Sequence, residues 1–254
     1  MIRIVSYQAA KRRLFSGKLE NRETEEIVSR IIEKVVQKGD NALVELTRKF
    51  DFKDMRKKDL EVKKSEILAA YKKADKETVL AVKKAKKNIE RFAKKQLPKG
   101  FSIENKGVKI GEKAVPLDSA GIYVPAGSYP LVSSVLMTAV PARVAGVKTV
   151  VMCCPPNKDG AIDANVLVAA DIAGVDRVFR IGGAQAIAAL AYGTESVPAV
   201  CKIVGPGNRF VTEAKRQVFG TAGIDMLAGP SEVMVLAKEG NAGKDSGSGR
   251  RSKQ

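Results

Sequence analysis

Three glycine-rich turns carry the residue types best suited to chemistry. Tyr123-Val124-Pro125-Ala126-Gly127-Ser128, Gly182-Gly183-Ala184-Gln185 and Gly205-Pro206-Gly207-Asn208 each follow a short apolar run and precede a helical pattern. At such a junction the free N–H groups and the positive dipole end of the helix suit an anion such as a pyrophosphate. In an open α/β sheet, ligands bind beyond the carboxyl ends of the strands, so three such turns would share one rim. Tyr123 could pack on a ring, while Gln185 and Asn208 could reach ribose or base edges. Each turn taken alone has a plainer explanation, glycine serving a tight strand-to-helix reversal. Gly205-Pro206-Gly207-Asn208-Arg209-Phe210 also has Phe where the dinucleotide fingerprint has its third glycine, and the Walker pattern is absent.

Other chemistry is thinly represented. The sequence contains no histidine, which is the usual residue for proton transfer near neutral pH and the commonest zinc ligand. Cys153, Cys154 and Cys201 are odd in number and lack C-x-x-C spacing. They read as small apolar residues at strand ends rather than as a zinc or disulfide set. Asp225 and Glu232 could hold a hard cation weakly, but nothing in their spacing argues for one.

The elements that must position the three turns follow from periodicity. Residues 1–99 read as a helical region, with helices over 23–38, 42–49, 63–73 and 76–95, and Asp40 placed to cap the second. Residues 100–120 alternate polar and apolar around Asn105-Lys106-Gly107 and read as a hairpin linking two domains. From Gly121 to about residue 237, short apolar strands alternate with helices of about ten residues, which implies βαβ units around a parallel sheet. Strands are expected over 122–124, 149–153, 177–181 and 200–204, with helices over 133–146, 161–174, 184–192 and 208–219. The expected fold class is α/β: a helical N-terminal region followed by a Rossmann-like, incomplete doubly wound parallel sheet. Residues 238–254 are rich in Gly, Ser and Lys without large apolar side chains, and read as a disordered basic tail.

Composition narrows the function classes. With 44% hydrophobic residues the chain can build a core, and no apolar run reaches the ~20 residues that span a bilayer. A cytoplasmic protein is expected. The net charge of +17 raises nucleic acid as a partner. Residues 1–120, however, carry 31 Lys and Arg against 18 Asp and Glu, while 121–236 carry 9 against 8. The surplus therefore lies on lysine-rich helix faces, where lysine stems cover apolar surface. No nucleic-acid-binding signature accompanies it, so a basic nucleic-acid-binding protein is the weaker alternative.

At this point the sequence resembles the histidinol dehydrogenase family. The resemblance runs through Gly121-Ile122-Tyr123-Val124-Pro125, Ser134 to Met137 and Pro141 to Val147. It continues through GGAQAIAALAYGTE (Gly182 to Glu195), KIVGPGN (Lys202 to Asn208), Ala214-Lys215-Arg216, Ile224-Asp225-Met226 and Ala228 to Glu232. It implies an NAD- and zinc-dependent, two-step oxidation of L-histidinol to L-histidine in an intertwined homodimer. The positions matching Tyr123, Gln185 and Asn208 would contact NAD, and Ser231 would contact substrate. Ser231 read alone is equally a turn residue after Pro230.

The sequence departs from the family pattern at about Lys238, and at Cys201, where Asp is usual. The family continues into a helix with Gln and His zinc ligands, then a Glu-His pair for acid/base work and a further Asp and His for the metal. With no histidine, none of these can be placed, so catalytic and metal residues are expected to be absent. The expectation is an incomplete chain, inactive alone, or a non-catalytic dinucleotide-binding protein.

Overall fold

A computed structural model describes residues 22–126 and 130–227. Four helices come first: α1 (Arg22–Lys38), α2 (Asp40–Phe50), α3 (Lys64–Lys73) and α4 (Lys76–Gln96). The hairpin β1 (Phe101–Asn105) and β2 (Val108–Glu112) follows. Then come β3 (Ser119–Tyr123), α5 (Val132–Val144), β4 (Thr149–Cys154), α6 (Ala164–Ala173) and β5 (Arg177–Arg180). The described chain ends with α7 (Gly183–Tyr192), β6 (Lys202–Val204), α8 (Arg209–Val218) and β7 (Gly223–Ile224).

The five strands from β3 onward form one sheet in the order β5-β4-β3-β6-β7, with every neighbouring pair parallel. The chain winds outward from β3 to β5, then returns to the other side of β3 and winds outward to β7. That reversal makes the sheet doubly wound, and the α/β class read from the sequence is the class observed. β7 was not anticipated, because two residues leave no periodicity to read.

Strand alternation sorts the core into two halves. Val150, Met152 and Cys154 of β4 pack on one face of the sheet with α5 and α6. Val151 and Cys153 pack on the other with α7. The front helices have no separate core. Val28, Val35, Leu43 and Leu46 of α1 and α2 join the α7–α8 side, whereas Ala70 of α3 and Val82 of α4 join the α5–α6 side. The N-terminal helices therefore cover both faces, outside the helices of the sheet itself. β1 and β2 stand apart from the sheet, with all ten residues exposed. Their tight turn places Lys106 and Gly107 at φ 48 and 83, both left-handed. No described helix is long and apolar enough to cross a membrane.

One expectation needs correction. Asp40 does not cap α2, because it is the first helical residue, and Gly39 occupies the cap with φ 52. The wholly buried Asp40 carboxylate instead accepts hydrogen bonds from the Thr194 hydroxyl at 2.7 Å and the Ser196 hydroxyl at 2.6 Å. The Asp40 N–H, one of the unpaired donors of a helix start, is met by Glu195 Oε2 at 2.7 Å. The cap thus comes from a carboxylate 155 residues away in sequence, which local spacing cannot disclose. A Cβ on Gly39 would lie 2.3 Å from Glu195 Oε2, so a larger residue there would displace the carboxylate from the helix start.

The cysteines divide as well. Cys153 and Cys154 are buried at the end of β4, as small apolar residues there should be, but Cys201 is exposed beside Ser119.

Candidate dinucleotide cleft

The reversal between β3 and β6 leaves a crevice at the carboxyl edge of the sheet, the position where open α/β sheets take ligands. The two loops leaving these strands run very close together. A Cβ on Gly205 would sit 2.1 Å from the Tyr123 carbonyl oxygen, and Gly205 has φ 126, so glycine is required on both counts.

Tyr123, Gln185 and Asn208 all line one cleft of about 680 Å³ at this edge. Tyr123 ends β3 and is nearly fully buried, and its phenol oxygen accepts the Gly183 N–H at 3.1 Å. Burial holds that phenol far above its ordinary titration range, so it keeps its proton. Gln185 lies in the first turn of α7, buried, with Oε1 folded back over Gly183. Asn208 is the N-cap of α8, and its Oδ1 accepts the N–H groups of Phe210 and Val211, each at 3.1 Å. Its Nδ2 is the part not committed to the cap. Ser231 lies outside the described residues, as do Gly127 and Ser128 of the first turn and residues 238–254.

The opposite wall comes from the front helices, through Ile27, Ile31, Lys49, Phe50 and Asp51. Sequence reasoning missed all five, since nothing in a local pattern indicates that α1 and α2 reach the sheet edge. Asp51 is the unusual member. Its Oδ2 is buried and has no hydrogen-bond partner among the described residues. Burial pushes its carboxyl up to about 6.

A second missed pair braces the loop after β6. The buried Lys215 ammonium donates to the Gly205 carbonyl at 2.5 Å and to Asp225 Oδ1 at 2.6 Å. Asp225 Oδ2 accepts the Gly205 N–H at 2.9 Å. Both ends of the Gly205 residue are thereby tied to one ion pair. Burial alone would raise the Asp225 carboxyl, but the bonds from Lys215, Gly205 and Met226 outweigh it and hold it below its ordinary value. A readable signal existed for Lys215, since it falls in phase with the buried Val211, Ala214 and Val218 of α8.

An apolar-walled cleft with two helix N-termini, a buried amide and an unpartnered carboxylate oxygen has the donors and acceptors to hold a dinucleotide. The residues do not fit zinc in the same way. Among the described residues no group of three or more His, Cys, Asp or Glu side chains is placed to hold a metal ion.

A sequence model described as histidinol dehydrogenase matches residues 15–244. The chain belongs to the histidinol dehydrogenase family. The histidinol dehydrogenase of Clostridium acetobutylicum is 49% identical over 234 residues, covering 92% of this chain and 53% of that protein. That of Oceanobacillus iheyensis is 48% identical over 223 residues, covering 87% of this chain and 52% of the relative. The crystal structure of histidinol dehydrogenase from Elizabethkingia anophelis superposes with a TM-score of 0.78 at 39% identity, covering 82% of this chain and 48% of that one. The chain spans about half the length of the curated relatives it matches. Within the family match, GGAQAIAALAYGTE serves two purposes: Gly183 and Gln185 line the cleft, while Thr194 and Glu195 hold Asp40 of α2.

Proposed function

We propose that the cleft at the β3–β6 reversal is the NAD site of a cytoplasmic, homodimeric histidinol dehydrogenase of histidine biosynthesis. The observation that supports this most directly is the convergence of Tyr123, Gln185 and Asn208, from three separate strand-to-helix turns, on one cleft. NAD, when bound, supplies the hydride acceptor for oxidation of L-histidinol. The residues of this chain bind and orient it. The N-termini of α7 and α8 turn their positive dipole ends to the pyrophosphate, while the Gly183, Phe210 and Val211 N–H groups stay bonded to Tyr123 and Asn208. The Gln185 amide and Asn208 Nδ2 reach polar edges, and Ile27, Ile31 and Phe210 keep water from the ring faces. Ser231 is proposed to contact the substrate.

The proton transfers and the zinc of the whole enzyme need residue types that this sequence lacks, since it contains no histidine. We therefore propose that these 254 residues hold the dinucleotide but do not by themselves turn over histidinol. Calorimetric titration with NAD tests the site. Gln185→Ala and Asn208→Ala should each weaken binding, and Asn208→Ser, which keeps a helix cap but loses the amide, should weaken it without loss of folding. Absence of binding at millimolar NAD would end the reading. In a separate assay with zinc, histidinol and NAD, formation of NADH by the purified chain would overturn the second statement.

A further inference from the structure

The Rossmann arrangement ordinarily supplies an acidic residue at the end of its second strand to accept a ribose hydroxyl of the dinucleotide. Here the second strand is β4, and it runs out through Cys153-Cys154-Pro155-Pro156-Asn157 with no carboxylate. The position is nevertheless served by a carboxylate from elsewhere. Asp51, directly after α2, places Oδ2 3.2 Å from where a Gly182 Cβ would stand, and that same Cβ would be 2.6 Å from Pro155 Cβ. Asp51 therefore lies between the ends of β4 and β5. It lines the cleft with Tyr123 and Gln185, with Oδ2 buried and unpartnered. A buried acceptor without a donor is costly to keep, and an ionised carboxylate has only acceptor capacity to offer a ligand.

Resting on the NAD reading above, we propose that Asp51 is the acceptor for the adenosine ribose 2′-hydroxyl and selects NAD over NADP. The front helices thus contribute a specificity-determining residue in place of the missing strand-end acid. A vicinal diol presents donors to a carboxylate, whereas a 2′-phosphate presents negative charge and no donor in the same place. Lys49, in the last turn of α2, also lines the cleft, but among the described residues no ion pair joins it to Asp51. Burial pushes the Cys154 thiol up to about 12, and the Tyr123 phenol keeps its proton, so both are neutral.

The test is equilibrium binding to the full chain, by calorimetry, of NAD, NADP and the NAD analogue lacking the adenosine 2′-hydroxyl. Wild type should bind both NADP and the deoxy analogue roughly ten- to a hundredfold more weakly than NAD, the range of a lost hydrogen bond to a charged group. Asp51→Asn should bind NAD about tenfold more weakly and should narrow the NAD-to-NADP gap, while melting at or above the wild-type temperature. Equal affinity of wild type for NAD and the deoxy analogue would overturn the proposal while leaving the NAD site standing, and so would folded Asp51→Asn with unchanged NAD affinity. No NAD binding by wild type would remove both. The two ligand comparisons on wild type decide the matter even if the variant fails to fold.

Discussion

Replacing Lys215 by Met should loosen the β6–α8 loop and destabilise the whole chain. Methionine preserves most of the stem on the buried face of α8 shared with Val211 and Val218, so the change isolates the ammonium. Its removal leaves the Gly205 carbonyl without its 2.5 Å donor and Asp225 without its 2.6 Å partner. Stranding one member of a buried pair costs about 3–5 kcal/mol. Asp225 keeps 30% of its side chain in contact with solvent, which moves the expectation to the lower end, about 3 kcal/mol. For a chain of this size that corresponds to a melting temperature lower by roughly 6–12 °C. The assay is urea and thermal unfolding of wild type, Lys215→Met, Asp225→Asn and the double variant. The coupling should exceed about 1 kcal/mol, with the double variant better than the sum of the singles. The sign of the pH dependence is fixed too. The Asp225 carboxyl is held below its ordinary value of 3.8, so its contribution is complete above that pH and is lost as pH falls through the folded value. Lys215→Met should lose most of that acid sensitivity. NAD affinity should fall about tenfold, since the loop carrying Asn208 must then be ordered on binding. Additive single effects within about 0.5 kcal/mol would refute the brace.

Other perturbations separate the causes named above. Asp51 has its folded value raised to about 6 from 3.8, so it lowers stability progressively as pH rises through that window. At pH 8 Asp51→Asn should be more stable than wild type by roughly 1–2 kcal/mol, the full shift being reduced by partial solvent contact, and by nothing near pH 4; urea melts at both pH values check this. Asp40→Ala removes the acceptor of the Thr194 and Ser196 hydroxyls and should cost about 3 kcal/mol in thermal unfolding; a loss under about 1 kcal/mol would argue against the docking role. Gly205→Ala and Gly107→Ala form a matched pair at positive φ. The first would drive a Cβ to 2.1 Å from the Tyr123 carbonyl oxygen, while the second meets nothing within 4 Å. Circular dichroism melts should show a loss above about 4 kcal/mol for the first and about 1 kcal/mol for the second.

What could be read from the sequence was what local periodicity and glycine placement encode. Thr149 to Cys153 reads as a buried strand because both of its faces meet helices, and apolar runs without alternation have that meaning. The glycine turns were legible because each marks a strand end, and all strand ends of a parallel sheet lie on one edge. Charge was the weaker guide. Asp225 looks like an ordinary surface residue until Lys215, whose phase on α8 was the readable hint, is seen to turn inward and pair with it. Asp40 was misjudged for a related reason: the capping preference of Asp is local, and here Glu195 and the Thr194–Ser196 hydroxyls compete for the same helix start. Asp51 had no local signal at all, because its significance arises only where α2 ends beside β4.

These long-range contacts link stability to the proposed site. The glycine turns supply one side of the cleft from the sheet, but Ile27, Ile31, Phe50 and Asp51 reach it only while α1 and α2 are docked. That docking is held by apolar packing on α7 and α8 and by the buried Asp40 cluster, whose partners Thr194, Glu195 and Ser196 directly follow α7. Since Gln185 also belongs to α7, the helix that carries a cleft-lining amide at its start carries the anchor for the opposite wall beyond its end. A shift of α7 would therefore move both walls together, and cleft width is set by helix packing rather than by the glycine turns. The dinucleotide reading thus depends on residues from both portions of the chain, although only the glycine-rich portion announces itself in the sequence.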